Sequence, residues 1–356
     1  MRQTDDYEDN SGGLPLIGMA LGVSFFVLLI LLLVIALNKK NISSPPSRAD
    51  TEISEEESTV DYLAGGNLVA SDLGFWDMYA SEEMTTVEET TTEEETTTET
   101  EPSEDGKHVQ VTLRDGSTEW VEINSNWKKN TYDFSNLVSK NNLLNYYTDG
   151  KEASYLGIDL SRHQTNVNYA AIKNEGIDFC MIRVGARGYE SGTIQPDNMF
   201  EKHIEGVTQA GMGVGLYFYS QAITEAEAVE EANFLLSKIG NYKISYPIAF
   251  DMEFVDNDSS RIETLTKSEK TKIALAFLNR IEEAGYTGML YGNKEWLLKR
   301  VDLSQLEKFD IWLAQEADIP DYPYTFSMWQ YSRKGEVYGI DGYVNLNISF
   351  IDYSAR

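Results

Sequence analysis

Tyr246-Pro247-Ile248-Ala249-Phe250-Asp251-Met252-Glu253 is an apolar run that ends in two acids. In an extended strand successive side chains point to opposite faces, so Ile248, Phe250 and Met252 share one face and Asp251 and Glu253 the other. The same split works in seven further runs, near 155–159, 178–184, 213–219, 288–292, 309–314, 326–331 and 344–349. One face collects Ile158, Cys180, Ile182, Val184, Val214, Leu216, Phe218, Leu290, Ile311, Leu313, Val344, Leu346 and Ile348. The other carries Asp159, Arg183, Tyr217, Tyr219, Asp251, Glu253, Tyr291, Trp312, Gln330, Asn345 and Asn347. Longer helical patterns follow the first five runs. Thr224 with Glu227 and Thr266 with Glu269 match capping boxes, and Gly211 and Gly285 sit where helices should stop. Strands alternating with helices predict a parallel sheet, here an irregular TIM-like β/α barrel of eight strands and about five helices. The apolar face would lie under helices or other covering structure.

In such a barrel the chemistry gathers at the C-terminal ends of the strands, where many of the polar residues fall. Buried acids are costly without basic partners, and Arg183 is the only evident inward base. Asp159, Asp251 and Glu253 therefore read as functional. Asp251 and Glu253 are about 6–7 Å apart at Cα, and close carboxylates resist ionising together. One can stay protonated as a general acid while another stays charged, which beside aromatic rings is the equipment for glycoside hydrolysis. A lone Tyr or Trp here is also read as barrel filling. Cys180, on the helix-facing side, reads as an inert core thiol.

The chain also resembles a known family. Gly157-Ile158-Asp159-Leu160-Ser161 with Gln164, Ile182-Arg183-Val184-Gly185, Gly213 to Ser220, Asp251-Met252-Glu253, Ile311-Trp312-Leu313-Ala314 and Trp329-Gln330-Tyr331 are similar to the successive signatures of the family 25 glycoside hydrolases. These are the Chalaropsis-type lysozymes, N-acetylmuramidases. The resemblance runs from about Tyr155 to Arg356. It implies cleavage of the β-1,4 bond between N-acetylmuramic acid and N-acetylglucosamine in peptidoglycan, with Glu253 as proton donor and Asp251 and Asp159 completing the acidic site. Tyr217, Tyr219, Tyr291, Trp312, Gln330, Asn345 and Arg183 are the expected substrate-binding residues, and neither cofactor nor metal is expected. The family commonly shows V-D-x-N near its end, whereas this chain reads Val344-Asn345-Leu346-Asn347. An amide there can hydrogen-bond a sugar but carries no charge. The alternative function is a catalytically weak wall-binding protein on the same barrel. A carboxylate-held divalent metal is a third reading, made unnecessary by the family match.

The rest of the 356-residue chain is organised differently. Residues 1–10 form a short tail. From Ser11 to Asn38 no residue is charged, and Leu14–Leu37 is long and apolar enough for one transmembrane helix rather than a cleaved signal. Residues 39–106 form an acidic Thr/Glu-rich linker. Nineteen of its acids and no base lie in 50–106, including TTVEETTTEEETTTETE at Thr85–Glu101, so it should stay disordered and extended. Leu63–Tyr79 holds Leu68, Val69, Leu73, Phe75 and Trp76, the pattern of a short helix or docking segment without an assigned role. Residues 107–150 read as a small unit, a hairpin across Asp115-Gly116 followed by a short helix near Asn136–Tyr146. The barrel occupies 154–356.

The formal charge of −29 argues against a nucleic-acid partner, and one cysteine with three isolated histidines excludes an internal disulfide and the common zinc motifs. Lys39, Lys40 and Arg48 after the apolar segment, against Arg2 before it, would place the barrel in the cytosol by the positive-inside rule. Wall chemistry requires the opposite. The expectation is a single-pass protein of a bacterial, Gram-positive cell membrane with its barrel facing the wall.

Overall fold

A computed structural model describes residues 106–141, 143–255 and 260–355. The apolar span, the acidic linker and the 63–79 segment lie outside the described residues. Among those described, no helix is long and apolar enough to cross a membrane.

All eight expected barrel strands form. With the strands labelled in chain order, they are β6 (Tyr155–Leu160), β7 (Phe179–Arg187), β9 (Gly213–Ser220), β10 (Ile248–Met252), β11 (Gly288–Asn293), β12 (Asp310–Ala314), β13 (Met328–Gly335) and β14 (Val344–Ser349). β7 and β13 run past the ends expected at 184 and 331. A short extra strand, β8 (Ile194–Pro196), pairs antiparallel with the end of β7. The β6–β7 pairing closes the sheet into a barrel.

The sheet is not wholly parallel, as the alternation suggests it should be. β14 runs antiparallel to both β13 and β6. Only residues 336–343 separate β13 from β14, and a parallel return needs a crossover of about a dozen residues or more. Helices α1 (Tyr169–Asn174), α2 (Phe200–Gln209), α3 (Glu225–Ile239) and α4 (Lys267–Glu283) follow β6, β8, β9 and β10, and a π-helical turn at Trp296–Arg300 follows β11. α4 carries a complete capping box from Thr266 and Glu269. At α3, Thr224 caps the Glu227 amide while the Glu227 carboxylate accepts from Ile223. Gly211 and Gly285 take φ of 72° and 86° just past α2 and α4, a backbone that suits glycine.

The two faces assigned by alternation separate into two cores. The outward set, from Ile158 to Ile348 and including Cys180, is buried in one large cluster with the helices. Inside the barrel lie Phe179, Met181, Tyr217, Tyr246, Ala249, Met289, Tyr291, Trp312, Met328 and Tyr353. Their rings set close tolerances: a Cβ on Gly157 would stand 2.2 Å from the Phe179 ring.

The N-terminal unit corrects one expectation. β1 (His108–Thr112) and β2 (Thr118–Glu122) form the expected hairpin, but residues 137–141 and 143–146 are strand and turn rather than helix. A 3-10 turn at Phe134–Asn136 leads into β3 (Leu137–Lys140) and β4 (Leu143–Thr148), with β5 (Lys151–Glu152) beside β4. Asn141 at φ 53° sits between β3 and β4, a left-handed position that ends the helical option. Burying Leu143, Asn145 and Tyr146 as a strand then outweighs local helix preference. The unit covers the sector of the barrel that has no helix. Tyr132 stacks on Phe350 at 4.1 Å, Phe134 meets the Trp329 ring, and the Leu144 amide donates to the Tyr331 hydroxyl. Leu143 and Tyr146 belong to the same core as the outward barrel residues.

Candidate active site

Asp159, near the end of β6, is buried and its carboxylate is held by three amides. Gln330 on β13 donates to Oδ2 at 2.6 Å, Asn345 on β14 to the same oxygen at 3.0 Å, and Asn347 to Oδ1 at 2.7 Å. Two of these amides are themselves oriented. The Gln330 carbonyl accepts from the Tyr291 hydroxyl at 3.1 Å, and the Asn347 carbonyl accepts from the Trp312 indole at 2.8 Å. With their oxygens so engaged, both side chains must present N–H to Asp159. Burial still dominates and pushes the carboxyl up to about 7, with the three amides opposing it and Glu253 adding to it.

Asp251 is the penultimate residue of β10, between Tyr219 and Tyr291 in register. Glu253 lies one residue beyond the strand and is half-buried. The two carboxyls interact directly, so a charge on Glu253 raises the proton affinity of Asp251. Burial and the neighbouring Glu253 charge raise Asp251 well above the usual carboxylate range, while Arg183 opposes this. Burial takes Glu253 up to about 7, partly offset by its interaction with Asp251 and the positive charge of Arg333. Asp251 Oδ1 and Glu253 Oε1 are buried and make no hydrogen bond within the protein. Two such oxygens side by side, without a basic side chain hydrogen-bonded to either, are available to a substrate.

The other expected residues divide by position. Tyr217, Tyr291 and Trp312 lie inside the barrel. Trp312 is only 1% exposed and packs edge-on against Tyr291 at 4.8 Å and Tyr217 at 6.1 Å. Its side chain orients Asn347 and offers no open face. Tyr219 packs with Ala186, Tyr189 and Val255. Arg183 is buried and donates through Nε to Asp197 at 2.8 Å. Asp197 also accepts from the backbone amides of Arg162 and Met199. Arg183 thus places a fixed positive charge near Asp251 rather than an exposed fork. Asn345 remains half-buried, and Asp341 is exposed.

Three further residues contribute that are not among the expected site residues. Asn347 falls on the inward face, so strand parity is a usable signal for it. Asp197 and Gln221 carry no such signal, since both lie outside the barrel-strand runs. Gln221 is fully buried and donates to the Glu253 carbonyl at 2.8 Å.

A closed β/α barrel with two neighbouring carboxyls and a third, amide-held carboxyl at its strand ends has the make-up of a glycosidase. Residues 158–340 match the family model of the glycosyl hydrolases family 25, just over half of the chain, and the chain belongs to that family. Among solved structures, the modular autolysin LytC from Streptococcus pneumoniae, in complex with a synthetic peptidoglycan ligand, is similar at 19% identity and a TM-score of 0.50. The match covers 68% of this chain and 56% of the autolysin, so little more than half of that protein's length is represented. A second structure of the same autolysin gives 20% identity and the same TM-score over the same shares, 68% and 56%. A family 25 glycosyl hydrolase from Bacillus anthracis gives 21% identity over 58% of this chain and 93% of that one, with a TM-score of 0.48. No curated protein matches the chain.

Proposed function

We propose that the protein is a membrane-anchored peptidoglycan hydrolase that cleaves the β-1,4 bond between N-acetylmuramic acid and N-acetylglucosamine. The observation that carries this reading is the neighbouring Asp251–Glu253 pair, with buried Oδ1 and Oε1 left without protein partners, at the strand ends of a family 25 barrel. Glu253 is the less buried member, and with its carboxyl pushed up to about 7 it carries a proton in part of the population at neutral pH and donates it to the leaving glycosidic oxygen. Asp251 lies at the end of the strand that leads into Glu253, so it sits beside the acid rather than across the glycosidic bond from it, a poor placement for an attacking carboxylate. Asp159, with amides on both oxygens, is likewise poorly placed to attack. This supports a substrate-assisted route in which Asp251 orients the sugar's own acetamido group and Asp159 provides negative charge for the cationic sugar. The synthetic peptidoglycan ligand of the autolysin complex agrees with the substrate class.

Purified wall digested with the protein should release fragments ending in reducing muramic acid. Glu253→Gln should reduce the rate at least about a thousandfold, as expected when the proton donor is removed and the leaving oxygen departs unassisted. Reducing glucosamine ends, or near-full activity of the variant, would defeat the assignment. The uncharged Ser11–Asn38 segment supports the anchor, and the wall substrate supports an external barrel. External protease on intact cells should then cut the acidic linker and release the barrel. Protection of the linker would place the barrel in the cytosol.

A further inference from the structure

The hairpin β1–β2 lies outside the family match, yet its turn reaches the segment that carries the proton donor. Within that turn the Ser117 carbonyl accepts from Leu113, and Asp115 accepts from the Ser117 amide and hydroxyl. Arg114 projects from it. One guanidinium nitrogen donates to the Val255 carbonyl at 2.5 Å, another pairs with Glu263, and the guanidinium lies 5.5 Å from the centre of the Phe254 ring. Glu253 needs such support, because β10 ends at Met252 and the parallel ladder does not extend to it. On the barrel side, Gln221 donates to the Glu253 carbonyl at 2.8 Å and accepts from the Ser260 hydroxyl at 2.9 Å.

We infer that Arg114 is a positioning residue for the catalytic acid, holding residues 254 and 255 from the hairpin while Gln221 holds Glu253 from the barrel. This rests on the proposed role of Glu253. A charge-assisted bond to a backbone carbonyl is a stronger fixture than the half-exposed ion pair with Glu263, whose partners are 32% and 26% exposed. The hairpin has a separate link to the barrel, Lys299 with Glu119, that touches none of residues 253–255. The two links can therefore be cut independently.

The test uses the full-length chain in detergent, soluble uncrosslinked glycan strands as substrate, and the rate of reducing-end release. Arg114→Ala should lower kcat about tenfold with KM within about twofold, because misplacing a catalytic group affects the chemical step rather than ground-state binding. Glu119→Gln should leave both constants unchanged. Arg114→Lys keeps the charge but lacks the two-nitrogen fork that reaches Val255 and Glu263 separately, so its kcat should fall between wild type and Arg114→Ala. If Arg114→Ala fails to fold, Arg114→Lys carries the test alone. Wild-type kcat in the Arg114 variants, or an equal loss in Glu119→Gln, would overturn the inference while leaving the hydrolase reading intact. An inactive wild type would overturn both.

Discussion

Asn345 is the residue at which this chain departs from the pattern it resembles, and the structure gives the departure a definite consequence. Its amide is one of three donors to Asp159. An aspartate in its place would set two carboxyls at hydrogen-bond distance, and such a pair cannot ionise fully. Asp159, already at about 7, would lose a donor and gain a like charge, both of which raise its proton affinity further. Asn345→Asp is therefore expected to move the acidic limb of the kcat/KM profile to higher pH, with a several-fold loss at neutral pH. An unmoved limb would mean that ionisation of Asp159 does not control the reaction. Alternation along β6, β10 and β14 is enough to find Asp159, Asp251, Glu253 and the Asn345–Asn347 pair. The roles of Trp312 and Arg183 are not legible in the same way. Parity says that a side chain points inward, but not whether the barrel closes over it or whether another segment supplies its partner. Trp312 is enclosed and bonded to Asn347, and Arg183 is taken by Asp197 from beyond β8.

The elements divide similarly. The barrel strands are legible because each presents two chemically distinct faces, buried against different layers. Direction is less so, since alternation is blind to whether a strand runs up or down. The antiparallel β14 follows from the shortness of its connection rather than from any residue within it. The β3–β4 hairpin escapes a sequence reading for a further reason. Leu137, Leu143, Leu144 and Tyr146 fit neither a clean helical stripe nor a strict alternation, and a short apolar segment does not reveal its own period. What decides is tertiary: Trp329, Tyr331 and Phe350 lie where no helix covers the barrel, and an extended hairpin with Tyr132 and Phe134 lies over them. A sequence can show that a sector lacks a helix. It does not show which segment fills it.

At the scale of the whole molecule, the site is maintained against the stability of the fold. Asp159, Glu253 and Glu231 are each pushed up to about 7, and Asp251 is raised well above the usual carboxylate range, chiefly by burial. Glu231 is paired with Arg187 on the far side of β7 from the carboxyl cluster, so the effect is not confined to the active site. A carboxyl whose folded pKa lies above its unfolded value binds its proton more tightly when folded. Its contribution is complete below the unfolded value near 4 and is lost as pH rises through about 7. The exposed Glu269 and the half-buried Asp302 and Asp352, held low by hydrogen bonds to neighbouring hydroxyls and amides, act in the opposite sense and lose their contribution as pH falls below about 4. The fold should therefore be most stable at about pH 4–5, with its melting temperature falling between pH 5 and pH 8. Glu253→Gln removes one ionisation from the raised set, so the variant should melt several degrees above wild type at pH 8 and nearly with it at pH 5. Calorimetry or circular dichroism across that range checks both. A wild-type melting temperature that rises from pH 5 to pH 8 would mean that these carboxyls are not the groups whose burial sets the pH response.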